Sequence, residues 1–113
     1  MTFTASETAA HYVPQDLPTR IKHYINGEFV DSVSGKTFDV LDPVSNQNYA
    51  TAAAGQKEDI DLAVAAAREA FTNGPWPKMK PRERARVLNR IADAVEAQEA
   101  RLAELETFDT GLP

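Results

Sequence analysis

The sequence predicts an α/β chain in which a small antiparallel β-meander over residues 21–54 precedes two or three helices. Three observations carry this reading. HYINGEFV sets Asn26-Gly27 between two short apolar and aromatic runs, a strong hairpin signal because both residues accept the positive φ of a type I′ turn. At residue 56 the apolar spacing turns helical, with Ile60, Val64, Ala67 and Phe71 falling on one stripe. The breaker NGPWP at 73–77 then separates that helix from further apolar-periodic chain.

Taken in order, residues 1–20 form a polar segment without a basic n-region or an apolar run of signal-peptide length, expected to be a loosely ordered leader. After the hairpin, Ser34-Gly35-Lys36 makes a second turn. TFDVLDP follows, with Phe38 and Val40 alternating against Thr37 and Asp39 as on a half-buried strand. Pro43, lacking an N–H for a ladder, ends it. A third small apolar run, Asn48 to Ala54, closes on Gly55. So small a sheet rarely stands alone.

The first helix is expected over about 56–72. Glu58, Asp59 and Asp61 crowd its first turn, where the helix dipole favours negative charge, and its alanines suit close packing as well as high helix propensity. The second is expected over 81–97, with Pro81 in the first turn and Ala85, Leu88, Ile91, Ala92 and Val95 on one face. Gln98 and Glu99 interrupt that face. It resumes at Leu102, Leu105 and Phe108 in a third helix over 98–110, which ends at Gly111 with Pro113 just beyond. Each helix is expected to bury one stripe, and residues 21–113 to form one structural unit.

Composition bounds the function. Of 113 residues, 42% are hydrophobic and 26% charged, an ordinary globular balance for one domain. The formal net charge of −5 argues against nucleic-acid and anionic-membrane partners. No cysteine is present, so these residues hold no disulfide, thiolate metal site or cysteine nucleophile. No stretch approaches the roughly 18–20 apolar residues of a membrane span. The expectation is a soluble cytoplasmic protein.

Motifs that carry chemistry are sparse. G-x-G-x-x-G, the P-loop, H-E-x-x-H and the EF-hand loop are all missing. His11 sits in the leader and His23 opens the hairpin, neither with a metal partner in view, and no serine has a triad context. Arg82, Arg86 and Arg90 recur at i, i+4 and i+8 opposite the Leu88–Ile91–Val95 face, as a solvated surface should. Glu104 and Glu106 point to different helix faces and cannot converge as an acid–base pair. Asp109 stands at a helix exit. There a carboxylate either closes a local turn or, with freed carbonyls, meets an ion.

Read together, HYINGEFV, GKTFDVLDPVSNQ, AAAGQKEDIDLAVAAAREAF, Trp76 and RERARVLNRIADAVEAQEARLAELETFDTG resemble, in order and spacing over residues 23–113, the N-terminal portion of the aldehyde dehydrogenase superfamily. Two positions depart from the family pattern: Asp42 where Asn-Pro is common, and Leu112 where Lys is common. The Gly-Leu-Pro ending resembles most the 5-carboxymethyl-2-hydroxymuconate semialdehyde dehydrogenases of aromatic catabolism. The resemblance implies an incomplete Rossmann-like cofactor domain and an oxidoreductase that uses NAD or NADP to convert a small-molecule aldehyde to a carboxylate. It also implies homo-oligomeric assembly of the full-length enzyme. In that family a cysteine adds to the aldehyde, hydride passes to the nicotinamide, and a glutamate-activated water releases the acid. None of those residues, and no residue that binds the dinucleotide, maps onto this chain, so the 113 residues are expected to be an inactive fragment.

One family element does map. A monovalent cation, Na⁺ or K⁺, held by hard oxygen ligands, would sit between the carbonyls of Val40 and Leu41 and the side chain of Asp109. The competing reading is a small, self-sufficient α/β interaction module without catalysis. A module should cap its last helix without exposing an apolar stripe, and the ending favours the fragment.

Overall fold

The computed structural model describes residues 13–111. Strands β1 (Arg20–Ile21), β2 (His23–Ile25), β3 (Glu28–Val30), β4 (Thr37–Leu41) and β5 (Asn48–Ala53) precede helices α1 (Lys57–Asn73), α2 (Pro81–Glu96) and α3 (Glu99–Thr110). A 3-10 turn at Trp76–Lys78 links α1 to α2.

The strands do not form one antiparallel meander. They split into a separate hairpin, β2–β3, and a three-stranded sheet ordered β1-β5-β4. In that sheet β1 runs parallel to β5, with Arg20 opposite Thr51 and Ile21 opposite Ala52. A parallel pair needs a long crossover and leaves no turn signature, which is why two residues at the edge of the expected leader gave no sign of a strand. Within 13–20 the chain is held by named bonds: Thr51 N–H donates to Thr19 O at 3.0 Å, and Arg101 Nη2 donates to Gln15 O at 2.7 Å. The rest of the expected leader, residues 1–12 with His11, lies outside the described residues, as do Leu112 and Pro113.

Local chemistry explains the elements. Asn26 (φ 53°) and Gly27 (φ 83°) take the left-handed conformations of the two-residue turn. Tyr24 and Phe29 pair across the hairpin with ring centroids 5.0 Å apart. Glu83 Oε2 accepts from Lys80 N–H at 2.8 Å, and Pro81 begins α2 where no N–H is needed. α2 and α3 part at Ala97–Gln98, where the apolar stripe breaks.

The expectation that each helix buries its stripe is not met. Among the described apolar residues only Pro14, Ala50, Ala52 and Phe108 are buried. Phe71 on α1 is 70% exposed and Ile91 on α2 is 55% exposed, and their stripe neighbours Ile60, Val64, Leu88 and Val95 are exposed with them. The radius of gyration is 20.0 Å, against about 13 Å for a compact chain of this length. The apolar stripes exist as read, but nothing among the described residues lies over them. Among the described residues, the one tertiary junction with a buried aromatic is where the end of α3 meets the β4–β5 sheet.

Candidate cation site

Three pieces of chain meet at that junction. β4 ends at Leu41, and the turn that follows is built by Asp42. This buried carboxylate accepts from Val44 N–H at 3.0 Å, from Ser45 N–H at 3.2 Å and from the Ser45 hydroxyl. Its main chain closes the same turn, with Asp42 N–H to Gln47 O at 2.9 Å and Asn46 N–H to Asp42 O at 2.8 Å. The ladder then slips: Val40 pairs with Ala50 but Leu41 with Asn48. Tyr49 is left as the extra residue of a bulge, a device that re-aims a side chain.

That side chain joins the sheet to α3. The rings of Tyr49 and Phe108 meet edge-on, with centroids 5.2 Å apart at 78°, and Phe108 is only 4% exposed. Burial raises the phenol pKa of Tyr49 above its usual value, and the negative charges of Asp109 and then Asp42 raise it further. A hollow of about 400 Å³ is lined by Leu17, Pro18, Tyr49, Leu105, Phe108 and Asp109 among others. α3 ends in Gly111 at φ 69°, a left-handed exit that favours glycine. Its Cα faces the turn so closely that an added Cβ would lie 3.3 Å from Pro43 Cγ and 3.4 Å from Val44 Cγ2. Gly111→Ala is therefore expected to cost about 1–2 kcal/mol from the left-handed strain, with some further crowding, read as a lower urea midpoint at unchanged slope.

The segments that carry the three sequence-predicted ligands adjoin through Gly111 and the 43–44 turn. Val40 is half-buried and Leu41 half-exposed at the bulge, and Asp109 is exposed on the helix end that packs over residues 43–44. β4 is an edge of its sheet, so one side of its backbone faces no strand partner among the described residues. Main-chain carbonyls and a carboxylate are hard oxygen donors of the kind that suit a weakly bound cation of low charge. A site for a transition metal finds no support, since no three His, Cys, Asp or Glu side chains cluster among the described residues.

Sequence reasoning missed a second polar centre. Asp59, read as a helix-dipole acid, is buried, 3% exposed, and ties three segments. It accepts from Gln56 N–H at 2.8 Å, capping α1 from its third position, from Val33 N–H at 2.8 Å and from Ser32 Oγ at 2.7 Å. His23 Nε2 stands 4.0 Å from the same carboxylate. The hydrogen bonds from Gln56, Val33 and Ser32, in that order of effect, lower the carboxyl pKa to about 2 from 3.8, against an opposing contribution from burial. The signal available was Gln56 three residues before an acid, a capping-box spacing. The contacts from Ser32 and Val33, more than 25 residues away, left no local trace.

A model of the Aldehyde dehydrogenase family matches residues 29–113. Aldehyde dehydrogenase family 2 member B4, mitochondrial, of Arabidopsis thaliana is 50% identical over 113 residues, covering 98% of this chain but 21% of that protein. Aldehyde dehydrogenase 1 of Tanacetum cinerariifolium is 52% identical over 92 residues, 81% of this chain and 18% of its own length. Among solved structures, the NAD⁺ complex of aldehyde dehydrogenase from Bacillus cereus superposes with a TM-score of 0.75 at 46% identity, covering 80% of this chain and 18% of that one. The chain spans about a fifth of the length of the curated relatives it matches. No helix among the described residues is long and apolar enough to cross a membrane.

Proposed function

The chain belongs to the aldehyde dehydrogenase family, and from that premise we propose that it contributes the opening part of the cofactor-binding half of an enzyme that oxidises an aldehyde to a carboxylate with NAD(P). The observation that carries this is a mismatch. Identity of about one residue in two runs over nearly the whole chain, yet the apolar faces of α1 and α2 stay in water. Faces of that size on a family segment are explained by packing against the further polypeptide that the relatives possess. A self-sufficient module would have covered them.

In this reading the chain supplies scaffold, not chemistry. It contains no cysteine to add to an aldehyde. The dinucleotide that the Bacillus cereus enzyme binds would be held by residues these 113 do not include. The finer assignment, to a semialdehyde of aromatic catabolism, rests on the Gly111-Leu112-Pro113 resemblance. The test is complementation. Mixed with an aldehyde dehydrogenase lacking its corresponding first fifth, the chain is expected to restore NAD⁺-dependent oxidation that neither part shows alone. Turnover by the pure chain would place the chemistry elsewhere than this reading does, and a sharp, monomeric melt would favour the module.

Val40, Leu41 and Asp109 are proposed to hold Na⁺ or K⁺ in the assembled enzyme, where the cation would fasten the sheet to α3. K⁺ is expected to raise the melting temperature of the complemented enzyme over tetramethylammonium at equal ionic strength, and Asp109→Asn to abolish that difference. An identical K⁺ response in the variant would remove Asp109 from the site.

A further inference from the structure

The sequence contains two Asn-Gly pairs, Asn26-Gly27 and Asn73-Gly74, and the fold treats them oppositely. We infer that Asn26 is a site of spontaneous deamidation and isoaspartate formation, and that the equally susceptible Asn73 is protected by the hydrogen bonds that end α1. The inference does not depend on the aldehyde-oxidising reading.

The chemistry is the same at both. The Gly main-chain nitrogen attacks the Asn carboxamide carbon, forming the N–Cγ bond of a five-membered succinimide. The Cγ–Nδ2 bond breaks, and ammonia departs with the proton from the glycine nitrogen. Water then opens the ring at either carbonyl, leaving aspartate or isoaspartate. No oxidant, reductant or enzyme is required. A following glycine favours ring closure because no Cβ obstructs the attacking nitrogen.

What differs is freedom to reach that geometry. Asn26 and Gly27 are exposed at the hairpin tip. A Cβ built on Gly27 would meet no atom within 4 Å beyond its chain neighbours, and no hydrogen bond described for the chain holds the Asn26 carboxamide. The type I′ turn must open for the ring to close, and the hairpin that carries it is two-stranded and unpaired to the other sheet, a marginal element in water. At the second pair every participating group is engaged. Gly74 N–H, the would-be nucleophile, donates to Ala70 O at 3.1 Å. Asn73 Nδ2 donates to both oxygens of Glu69 at 2.9 Å. Lys78 Nζ donates to Asn73 O at 2.8 Å, pinning the peptide between them. Breaking two such bonds before reaction should slow Asn73 roughly tenfold or more relative to Asn26.

The consequence is structural as well as electrostatic. Aspartate adds one negative charge at the tip. Isoaspartate adds a methylene to the main chain, and a two-residue turn cannot absorb it without losing the cross-strand register that pairs Tyr24 with Phe29.

The test incubates the full chain in mildly alkaline buffer and follows two tryptic peptides, 23–36 and 69–78, by mass spectrometry, with isoaspartate resolved by chromatography. The expected result is conversion in 23–36 at least about ten times faster than in 69–78, and a gap that closes when the chain is unfolded in urea. Asn26→Gly suits the same turn but lacks the carboxamide, and should abolish conversion in 23–36 while leaving 69–78 unchanged. Equal rates in the folded chain, faster conversion at Asn73, or a gap of the same size in urea would each overturn the inference.

Discussion

Phe108→Ala is expected to release α3 from the sheet, at a loss of about 3–5 kcal/mol typical of deleting a buried aromatic ring. Few residues share the burden: Pro14, Ala50 and Ala52 are the other buried apolar side chains described, and all are small. The ring's edge-on contact with Tyr49 would go too, a contribution of about 0.5–1.5 kcal/mol beyond burial in such pairs. Folded domains are stable by only about 5–15 kcal/mol in total, and a chain with this little core belongs at or below the low end. Hydrogen exchange should therefore show the amides of α3 losing protection while those within α1, which does not lean on Phe108, keep theirs. Unchanged protection in α3 would mean that its attachment rests on Arg101 and Gln15 instead. Phe108→Leu, which refills most of the space, should recover much of the loss.

Asp59→Asn should be the most damaging polar exchange. The carboxylate faces three donors, two of them main-chain N–H groups. An amide offers one acceptor oxygen and turns its NH₂ toward at least one main-chain N–H, which can only donate, so at least one donor loses its partner. Acid should act in the same way. The folded-state pKa, about 2, lies below the ordinary 3.8, so the folded chain binds this proton less readily than the unfolded one. The stabilisation is then complete above about pH 4 and drains as pH falls towards 2. The contact between the 32–34 turn and the start of α1 should loosen across that window, and circular dichroism on acid titration should follow it. In Asp59→Asn the loss should already be present at neutral pH and this part of the acid transition absent. A variant that kept the whole transition would assign it to other carboxylates.

These two residues also mark how far the sequence could be read. Phe108 was legible as the last member of an apolar stripe, because stripes are local and periodic. That it alone of its helix is buried followed from Tyr49, and Tyr49 points that way only because the β4–β5 ladder slips by one residue. Asp59 carried a local signal, three residues after Gln56, but its role as the link between hairpin turn and helix comes from Ser32 and Val33. Asp42 shows the same division. In the sequence it is a departure from the family's common Asn, whereas in the fold it builds the turn, with both carboxylate oxygens taking donors from Val44 and Ser45.

What the sequence determined by itself is the family and the set of elements other than β1. Turn residues at Asn26-Gly27 and Gly35, capping acids, helix breakers at 73–77 and apolar periods act over a few residues, and each can be read where it stands. The tertiary structure alone decided which strands pair, that Arg20 and Ile21 join β5 in parallel, and which apolar stripes find cover. Those outcomes depend on contacts between residues far apart in the chain, and such contacts are set by loop closure and packing, which leave no periodic mark. Here the two levels disagree in one respect: the stripes of α1 and α2 are patterned for burial, and nothing among the described residues buries them.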